Sequence, residues 1–370
     1  MKYVDEYRQS DVVKKAAEAL HAVATRPWTI MEVCGGQTHS IMKFSLHELL
    51  PKQIRLIHGP GCPVCVTPID LIDQAVGIAS MPETILCSFA DMLRVPGTES
   101  DLLTAKAKGA DVRLINSPLE VLKIAEQNPQ KEVVFFAIGF ETTAPPNAMV
   151  VYQAKQQGLK NVSMLTSHVL VPPALKYLLE SPDNEVQGFL AAGHVCTITG
   201  YNEYHALASR YRTPIVVTGF EPLDILQGLF LCVQMLENKE HAVVNQYQRC
   251  VREQGNRHSI SILNDVFKVV DRAWRGIGTI PASGLGLREE YAQYDAARRF
   301  PTALNRFAMR DNGCISGQIL QGKKRPGECP LFGKQCTPEN PLGAPMVSNE
   351  GACSAYHHYY QLTKGQAENA

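Results

Sequence analysis

The chain has 370 residues, of which 45% are hydrophobic and 19% charged, so it can bury the cores of two or three domains and is neither disordered nor fibrous. Its 36 Lys and Arg residues balance its 36 Asp and Glu residues. This balance excludes a generic binder of nucleic acids or anionic membranes, because both need a basic excess. No apolar run approaches the ~18 residues of a spanning helix. The N-terminus is charged where a signal peptide is apolar, so we expect a cytoplasmic protein.

Short apolar runs alternate with helix-like segments along the first two thirds of the chain. An amphipathic helix is predicted over residues 5–24. Strands are predicted at Thr29–Val33, Ile54–His58, Thr84–Phe89, Val112–Asn116, Val133–Ile138, Val162–Ser167, Gly188–Ala192 and Ile215–Thr218. Helices between them are predicted at Ser40–Leu50, Pro68–Ala79, Pro118–Asn128 and Pro145–Gln157. This alternation predicts an α/β fold of βαβ units with mostly parallel sheets.

A short internal repeat and a change of composition suggest how the chain divides. Ile138-Gly-Phe-Glu141 and Thr218-Gly-Phe-Glu221 each follow a predicted strand, which favours two similar α/β halves, although common strand-end chemistry explains three identical residues equally well. Residues 223–275 are predicted to be continuously helical. Residues 312–353 are rich in Gly and Pro, so they are predicted to form a long loop that needs another constraint. The predicted domains are an N-terminal helix, two α/β domains and a helical, Gly/Pro-rich domain: 1–26, 27–138, 139–235 and 236–370.

Two cysteine motifs follow predicted strands, where open α/β sheets place their functional groups. The first is CGGQTH, residues 34–39, whose glycines expose the backbone and whose following helix would favour a thiolate. The second is HGPGCPVC, residues 58–65, in which C-x-x-C suits a dithiol/disulfide couple or a soft-metal clamp. A tight turn with an incidental cysteine and a chance pair of buried cysteines are the alternative explanations.

The two motifs are expected to meet if their strands are neighbours. Three thiols would then converge on one crevice, where they would suit zinc, copper or low-spin iron better than magnesium or calcium. The converging thiols are Cys34, Cys62 and Cys65. His39 and His58 are minor candidates as ligands, because a lone histidine is more often structural.

The Gly/Pro-rich segment carries four cysteines with the spacing C-x14-C-x6-C-x16-C, namely Cys314, Cys329, Cys336 and Cys353. Four cysteines in a core-poor segment predict a metal that replaces the missing core. The spacing matches neither a common ferredoxin pattern nor a zinc ribbon. A [4Fe–4S] cluster and zinc therefore remain rivals, with disulfides as a third alternative. The other cysteines are predicted to be buried packing residues: Cys87, Cys196, Cys232 and Cys250.

Four motifs and the C-terminal cysteines together resemble the HypD family of hydrogenase maturation factors. The motifs are CGGQTH (34–39), GPGCPVC (59–65), GFETTAP (139–145) and GHV (193–195). The resemblance runs from about residue 30 to the C-terminus and implies two Rossmann-like α/β domains around a cleft, with a C-terminal domain that holds a [4Fe–4S] cluster. It implies a cytoplasmic scaffold that builds the Fe(CN)2CO centre of [NiFe] hydrogenases. The implied partners are a small HypC-type chaperone and a HypE-type cyanide donor, and the chain is expected to be a monomer outside that complex.

The resemblance also implies roles for individual residues. Cys34 is an iron ligand shared with the terminal cysteine of the chaperone, while Cys62 and Cys65 are a second pair at the iron or a redox dithiol. The implied cluster ligands are Cys314, Cys329, Cys336 and Cys353. We further expect a polar group to line the cleft, although a helix N-cap and an ordinary strand-end histidine explain its members equally well. The members of this group are Glu141, Thr142, Thr143 and His194.

Building such a centre needs electrons, which the cluster would supply through Cys62 and Cys65 by thiol–disulfide exchange. Two other functions fit the same residues. One is a thiol–disulfide oxidoreductase that uses Cys62 and Cys65, and the other is a zinc-stabilised binding module without a redox role. We favour a redox-active assembly scaffold over a stand-alone enzyme.

Overall fold

A computed structural model of the chain describes residues 2, 4–301 and 312–367, with side chains up to residue 359. The strands are β1 (Trp28–Glu32), β2 (Ile54–His58), β3 (Thr84–Ser88), β4 (Val112–Leu114), β5 (Glu132–Gly139), β6 (Val162–Val169), β7 (Gly188–Ala192), β8 (Ile215–Thr218), β9 (Val243–Asn245), β10 (Phe267–Trp274) and β11 (Gly278–Leu287). The helices are α1 (Ser10–Val23), α2 (Gly35–Lys43), α3 (Pro63–Val66), α4 (Ile69–Ala79), α5 (Leu102–Ala107), α6 (Glu120–Gln127), α7 (Ala144–Gln157), α8 (Val171–Leu179), α9 (Gly193–Thr199), α10 (Asn202–Tyr211), α11 (Pro222–Asn238), α12 (Arg257–Val266), α13 (Ala296–Arg299), α14 (Ser316–Leu320) and α15 (Ala352–Ala367).

These strands form two sheets. The first sheet has the order β2-β1-β7-β8-β9 and is parallel throughout. The second has the order β10-β11-β6-β5-β3-β4, in which β11 pairs antiparallel with both β10 and β6. Each sheet takes strands from both sides of residue 138, so the division between the sheets does not follow the domain boundary predicted at that residue. The predicted α/β class with parallel-rich, Rossmann-like sheets is confirmed.

All eight predicted strands are present, with ends within two residues of the prediction. The strand predictions succeeded because these strands are buried on both faces. Every residue of β3 and β7 is buried, and so are seven of the eight residues of β5. The sequence of a parallel strand that is buried on both faces is a continuous apolar run, which is easily recognised. Side chains of both sheets, such as Met31, Phe136 and Val217, belong to one hydrophobic core.

The predicted continuous helix over residues 223–275 is wrong. Helix α11 ends at Asn238, and β9, α12 and β10 follow it. Strand β10 forms an antiparallel hairpin with β11 through a turn in which Gly276 has a φ of 73°. This edge strand exposes Lys268 and Asp271 between buried ends. The pattern of its polar and apolar residues therefore resembles that of an amphipathic helix. The partner strand β11 contains several glycines and a proline, which make its sequence less typical of a strand.

The segment after residue 311 has little regular structure, as predicted. Helix α14 and the short 3₁₀ turns Pro326–Glu328 and Ala344–Met346 interrupt it before α15 begins. Helix α15 packs against α2, the helix of the first cysteine motif. None of the described helices is long and apolar enough to cross a bilayer.

Candidate metal and redox site

Cys34 lies at the junction of a strand and a helix, at the N-cap of α2 directly after β1. Strands β1 and β2 are parallel neighbours, with Glu32 opposite His58, so the predicted adjacency of the two cysteine motifs is confirmed. Helix α2 begins at Gly35, earlier than the predicted start at Ser40. The Gly35 N–H donates to Gly61 O at 2.9 Å, and this bond joins the two motif loops directly.

Two motif glycines are required by close approach of other groups. A Cβ on Gly61 would lie 2.3 Å from Cys34 N and 2.5 Å from Cys34 Cα, distances at which atoms overlap. A Cβ on Gly35 would lie 2.5 Å from Glu350 Cβ and 2.7 Å from Glu350 O. The first motif is therefore held between the second motif and the C-terminal segment.

A buried carboxylate that the sequence interpretation missed organises this junction. Glu32 is fully buried; its Oε2 accepts the Cys34 N–H at 2.9 Å, and its Oε1 accepts the Thr38 hydroxyl and bonds to His58 Nδ1. His58 Nε2 lies 3.0 Å from the hydroxyl of Tyr356 on α15. The only sequence signal for Glu32 was an acidic residue at the end of an apolar strand. These bonds connect Cys34 to the helix that carries Cys353.

Neither candidate histidine is a free ligand in this structure. His58 is engaged on both ring nitrogens by Glu32 and Tyr356. His39 Nε2 lies 3.2 Å from the Tyr359 hydroxyl, and its Nδ1 lies 3.4 Å from Asn349 O. Both rings therefore fasten the cysteine motifs to the C-terminal segment.

The Cys34 thiol is buried, with an exposed fraction of 8%. Burial raises its pKa to about 12, with the negative charges of Glu350 and Glu32 acting in the same direction. Backbone N–H groups of Gly36 and Gln37 act in the opposite direction. The thiol is thus protonated at neutral pH, and a metal ion would have to replace its proton to bind.

Cys62 and Cys65 form a disulfide at the start of α3, with a Cα–Cα distance of 5.2 Å. Cys62 is the N-cap, and its Sγ accepts the Cys65 N–H at 3.2 Å. Pro63 occupies the first helical position, which suits a residue without an N–H. A small cavity borders the disulfide, Gly35 of the first motif and Leu320 of the C-terminal segment. The geometry allows a dithiol/disulfide couple beside Cys34.

An open cleft of about 560 Å³ reaches the backbone next to Cys34. It is lined by Gly36 of the first motif, and by His194, whose ring stacks on Phe220 with centroids 3.7 Å apart. A Cβ on Gly36 would lie 3.2 Å from the Phe220 ring and 3.8 Å from Cys34 Sγ. His194 and Phe220 therefore both line this cleft, and the expected role of His194 at the site stays a prediction.

Of the four cysteines predicted to be buried packing residues, three are buried and one is exposed. Cys87, Cys196 and Cys232 are buried, but Cys250 is exposed on the rim of the cleft. The prediction for Cys250 was wrong because residues 246–251 form turns and not the helix that was expected there.

The polar cluster of the GFETT motif lies differently from the expectation. Glu141 is buried, with an exposed fraction of 2%; its Oε1 accepts the Val171 N–H at 2.9 Å, while its Oε2 has no hydrogen-bond partner among the described residues. Burial raises its pKa to about 7. Thr143 is the N-cap of α7, but its hydroxyl makes no capping bond, and Thr142 is partly exposed. The motif thus buries a carboxyl group that has one oxygen unpaired.

The raised pKa of Glu141 predicts a pH-dependent stability. In the folded protein the pKa of Glu141 lies above the ordinary value of 4.5. Its contribution to the free energy of unfolding is therefore fully present below about pH 4.5 and is lost as the pH rises through about 7. The wild-type free energy of unfolding should therefore fall by up to about 3 kcal/mol more than that of Glu141→Gln over this range. Urea denaturation at several pH values measures the difference. Glu126→Gln, at an exposed site, should follow the wild type; a parallel course for Glu141→Gln would contradict the prediction.

The four C-terminal cysteines are free thiols close to one another. Burial, followed by the other cysteines of the group, raises the pKa of Cys353, and burial also raises the pKa of Cys336. Cys336 Sγ accepts the Leu342 N–H at 3.4 Å. Within the described ranges, no three His, Cys, Asp or Glu side chains are arranged to hold a metal ion. The donor set itself, with four neighbouring thiols, an N–H donor to sulfur and apolar surroundings from Ile319 and Met346, fits an iron–sulfur cluster.

A comparison with known families identifies the chain. The family model described as "HypD: Hydrogenase formation hypA family" matches residues 11–360. The chain belongs to the HypD family. This confirms the resemblance carried by the four motifs.

Curated HypD relatives match the chain almost from end to end. Hydrogenase maturation factor HypD2 of Bradyrhizobium diazoefficiens is 45% identical over 100% of both chains. Hydrogenase maturation factor HypD of Escherichia coli (strain K12) is 46% identical over 98% of this chain and 99% of the relative. Hydrogenase expression/formation protein HupD of Azotobacter chroococcum is 46% identical over 100% of both. The chain is thus a hydrogenase maturation factor of the HypD family.

Proposed function

We propose that this chain is the scaffold on which the Fe(CN)2CO centre of [NiFe] hydrogenases is assembled, with iron as its cargo. Cys34 holds the iron together with the terminal cysteine of a HypC-type chaperone, and a HypE-type partner donates the cyanide groups. Assembly takes place in the cytoplasm, and the chain is a monomer outside the complex. The observation that carries the proposal is the setting of Cys34, a buried thiol beside a disulfide and next to an open cleft.

The surroundings of Cys34 suit this cargo. Cys34 stands at the N-terminus of the nine-residue helix α2, where the helix dipole favours anions such as bound cyanide. Low-spin iron accepts thiolate ligands. The cleft lined by Gly36 and His194 gives a partner protein access to this end of the sheet.

The other two cysteine groups support a redox role. The residues that would hold a [4Fe–4S] cluster are Cys314, Cys329, Cys336 and Cys353. When bound, the cluster would supply single electrons close to the Cys62–Cys65 disulfide. The disulfide takes up two electrons and two protons to become a dithiol, which can then donate to iron or reduce a neighbouring group.

Anaerobic purification of the full chain tests the cluster assignment. We expect iron and acid-labile sulfide in equal amounts, with the broad visible absorption of an iron–sulfur cluster. Both should be lost in Cys353→Ser and kept in Cys87→Ala, since Cys87 lies in the core of the second sheet. A colourless protein that contains zinc would contradict the assignment and favour a zinc-stabilised binding module.

A second comparison separates the scaffold from a thiol–disulfide oxidoreductase. A scaffold needs Cys34 for hydrogenase maturation, whereas an oxidoreductase would tolerate Cys34→Ala and fail on Cys62→Ala. Both variants are tested in a strain that lacks its own copy of the protein. The Cys62–Cys65 disulfide favours the oxidoreductase as the second candidate.

A further inference from the structure

The peptide that joins Leu342 and Gly343 lies against two of the four C-terminal sulfurs. On one side, the Leu342 N–H donates to Cys336 Sγ at 3.4 Å. On the other side, a Cβ on Gly343 would lie only 2.4 Å from Cys314 Sγ. One short stretch of backbone therefore contacts both sulfurs, and we call Leu342 and Gly343 the sulfur cradle.

Gly343 is required by the close sulfur and not by its own backbone. Its φ of −135° and ψ of 148° are extended values that any residue adopts. The other atoms near the position of a Cβ are Pro345 Cδ and Ser316 Cβ, both at 3.8 Å, which is ordinary contact. Cys314 Sγ is therefore the one close neighbour that excludes a side chain there.

The side chain of Asn312 ties Cys314 to the sulfur cradle. Its Oδ1 accepts the Cys314 N–H at 3.1 Å, and its Nδ2 donates to Leu342 O at 2.8 Å. The two bonds use both ends of one amide group, so they fix the backbone of Cys314 relative to Leu342. Asn312 is exposed, where water could satisfy its amide equally well, so these bonds serve the geometry of the segment.

An N–H group that donates to a ligand sulfur has a chemical consequence as well as a structural one. Hydrogen bonds to the sulfurs are among the factors that set the reduction potential of an iron–sulfur cluster. One-electron reduction adds a negative charge, and a donor bonds more strongly to the more negative acceptor. The Leu342 N–H therefore favours the reduced form of a cluster bound through Cys336.

We propose that the sulfur cradle, tied to Cys314 by Asn312, positions the sulfurs of Cys314 and Cys336 for the cluster and raises its reduction potential through the Leu342 N–H. The inference rests on the proposed function, because it requires the cluster. Asn312 and Gly343 act through the cysteines and make no bond to the cluster, so they are positioning residues and not ligands.

Gly343→Ala tests the close approach of Cys314 in the anaerobically purified full chain. The new methyl group takes the place of Cys314 Sγ, and the thiol, at the end of a side chain, can rotate away. The circular dichroism should therefore match that of the wild type, while the content of iron and acid-labile sulfide falls at least about tenfold. Gly327→Ala, where a Cβ meets no heavy atom within 4 Å, should keep the full content.

Asn312→Ala tests the tie between Cys314 and the cradle by a redox titration followed by EPR of the reduced cluster. Without the amide, Leu342 is free to move and its N–H bond to Cys336 Sγ weakens. The equilibrium constant for one-electron reduction should fall about fivefold, which corresponds to a midpoint about 40 mV more negative. Gln318→Ala is the matched control, since it removes an exposed amide from α14, close to Cys314 in the chain; its midpoint should not change.

The outcomes separate this inference from the proposed function. If the wild type holds a cluster, full cluster content in Gly343→Ala or an unchanged midpoint in Asn312→Ala overturns the cradle and leaves the proposed function standing. An equal shift in Gln318→Ala also overturns it, because any lost amide in the segment would then have the same effect. A wild-type chain without a cluster overturns both. If Gly343→Ala does not fold, the midpoint of Asn312→Ala decides.

Discussion

Replacing Cys34 with alanine is expected to abolish hydrogenase maturation. The proposed iron is held by this thiol, and a metal site loses most of its affinity when a ligand sulfur is removed. The nearby Cys62 and Cys65 are joined in a disulfide, so neither offers a free thiol in place of Cys34. Hydrogenase activity in a strain that relies on the variant should therefore fall by at least about 100-fold, the upper end of the loss seen when supporting residues of metal sites are changed.

The control for this prediction is Cys87→Ala, which also removes one buried sulfur. Cys87 lies in β3 of the second sheet, fully buried in its core, so the change should cost about 1 kcal/mol of stability and leave maturation intact. Circular dichroism and the free energy of unfolding should show that Cys34→Ala is folded. Normal maturation with Cys34→Ala would show that iron is held elsewhere.

Replacing Gly61 with alanine is expected to disrupt the site without removing any sulfur. The new methyl group would overlap the backbone N and Cα of Cys34, at 2.3 and 2.5 Å. Backbone cannot rotate away as a side chain can, so the two motif loops must separate and the bond from Gly35 N–H to Gly61 O must break. The free energy of unfolding should fall by about 3 kcal/mol or more, and iron should not be retained.

Gly327→Ala is the matched control for the glycine substitution. A Cβ at Gly327 would meet no heavy atom within 4 Å, so its effect on stability should stay within about 0.5 kcal/mol. Urea denaturation of the three proteins provides the comparison. Equal stabilities for Gly61→Ala and Gly327→Ala would contradict the close approach on which the site geometry depends.

The positions of the parallel strands could be predicted from the sequence because the apolar residues of each strand show by themselves that it is buried. Strand β2 was placed at Ile54–His58 and β7 at Gly188–Ala192, as observed, since strands covered on both faces are short, continuous apolar runs. The meeting of the first two cysteine motifs followed from the same pattern. Consecutive strands joined by a helix usually become parallel neighbours.

The remaining features depend on partners far away in the chain. Glu32 is informative only when paired with His58 and, through it, with Tyr356, and no local pattern encodes those contacts. The β10–β11 hairpin was missed because an edge strand with one solvated face needs few apolar residues. The turn of that hairpin, where the Arg275 N–H donates to Val66 O, could not be placed for the same reason. Long-range pairing, and not propensity, placed these residues.

Infrared spectroscopy of the chain purified with its chaperone partner tests the central claim most directly. The account predicts stretching bands of iron-bound cyanide and carbon monoxide in the wild-type complex, and their loss in Cys34→Ala with the Cys87→Ala complex unchanged. Cyanide and carbon monoxide bands that persist in Cys34→Ala, or a wild-type complex that binds the chaperone without either band, would contradict it.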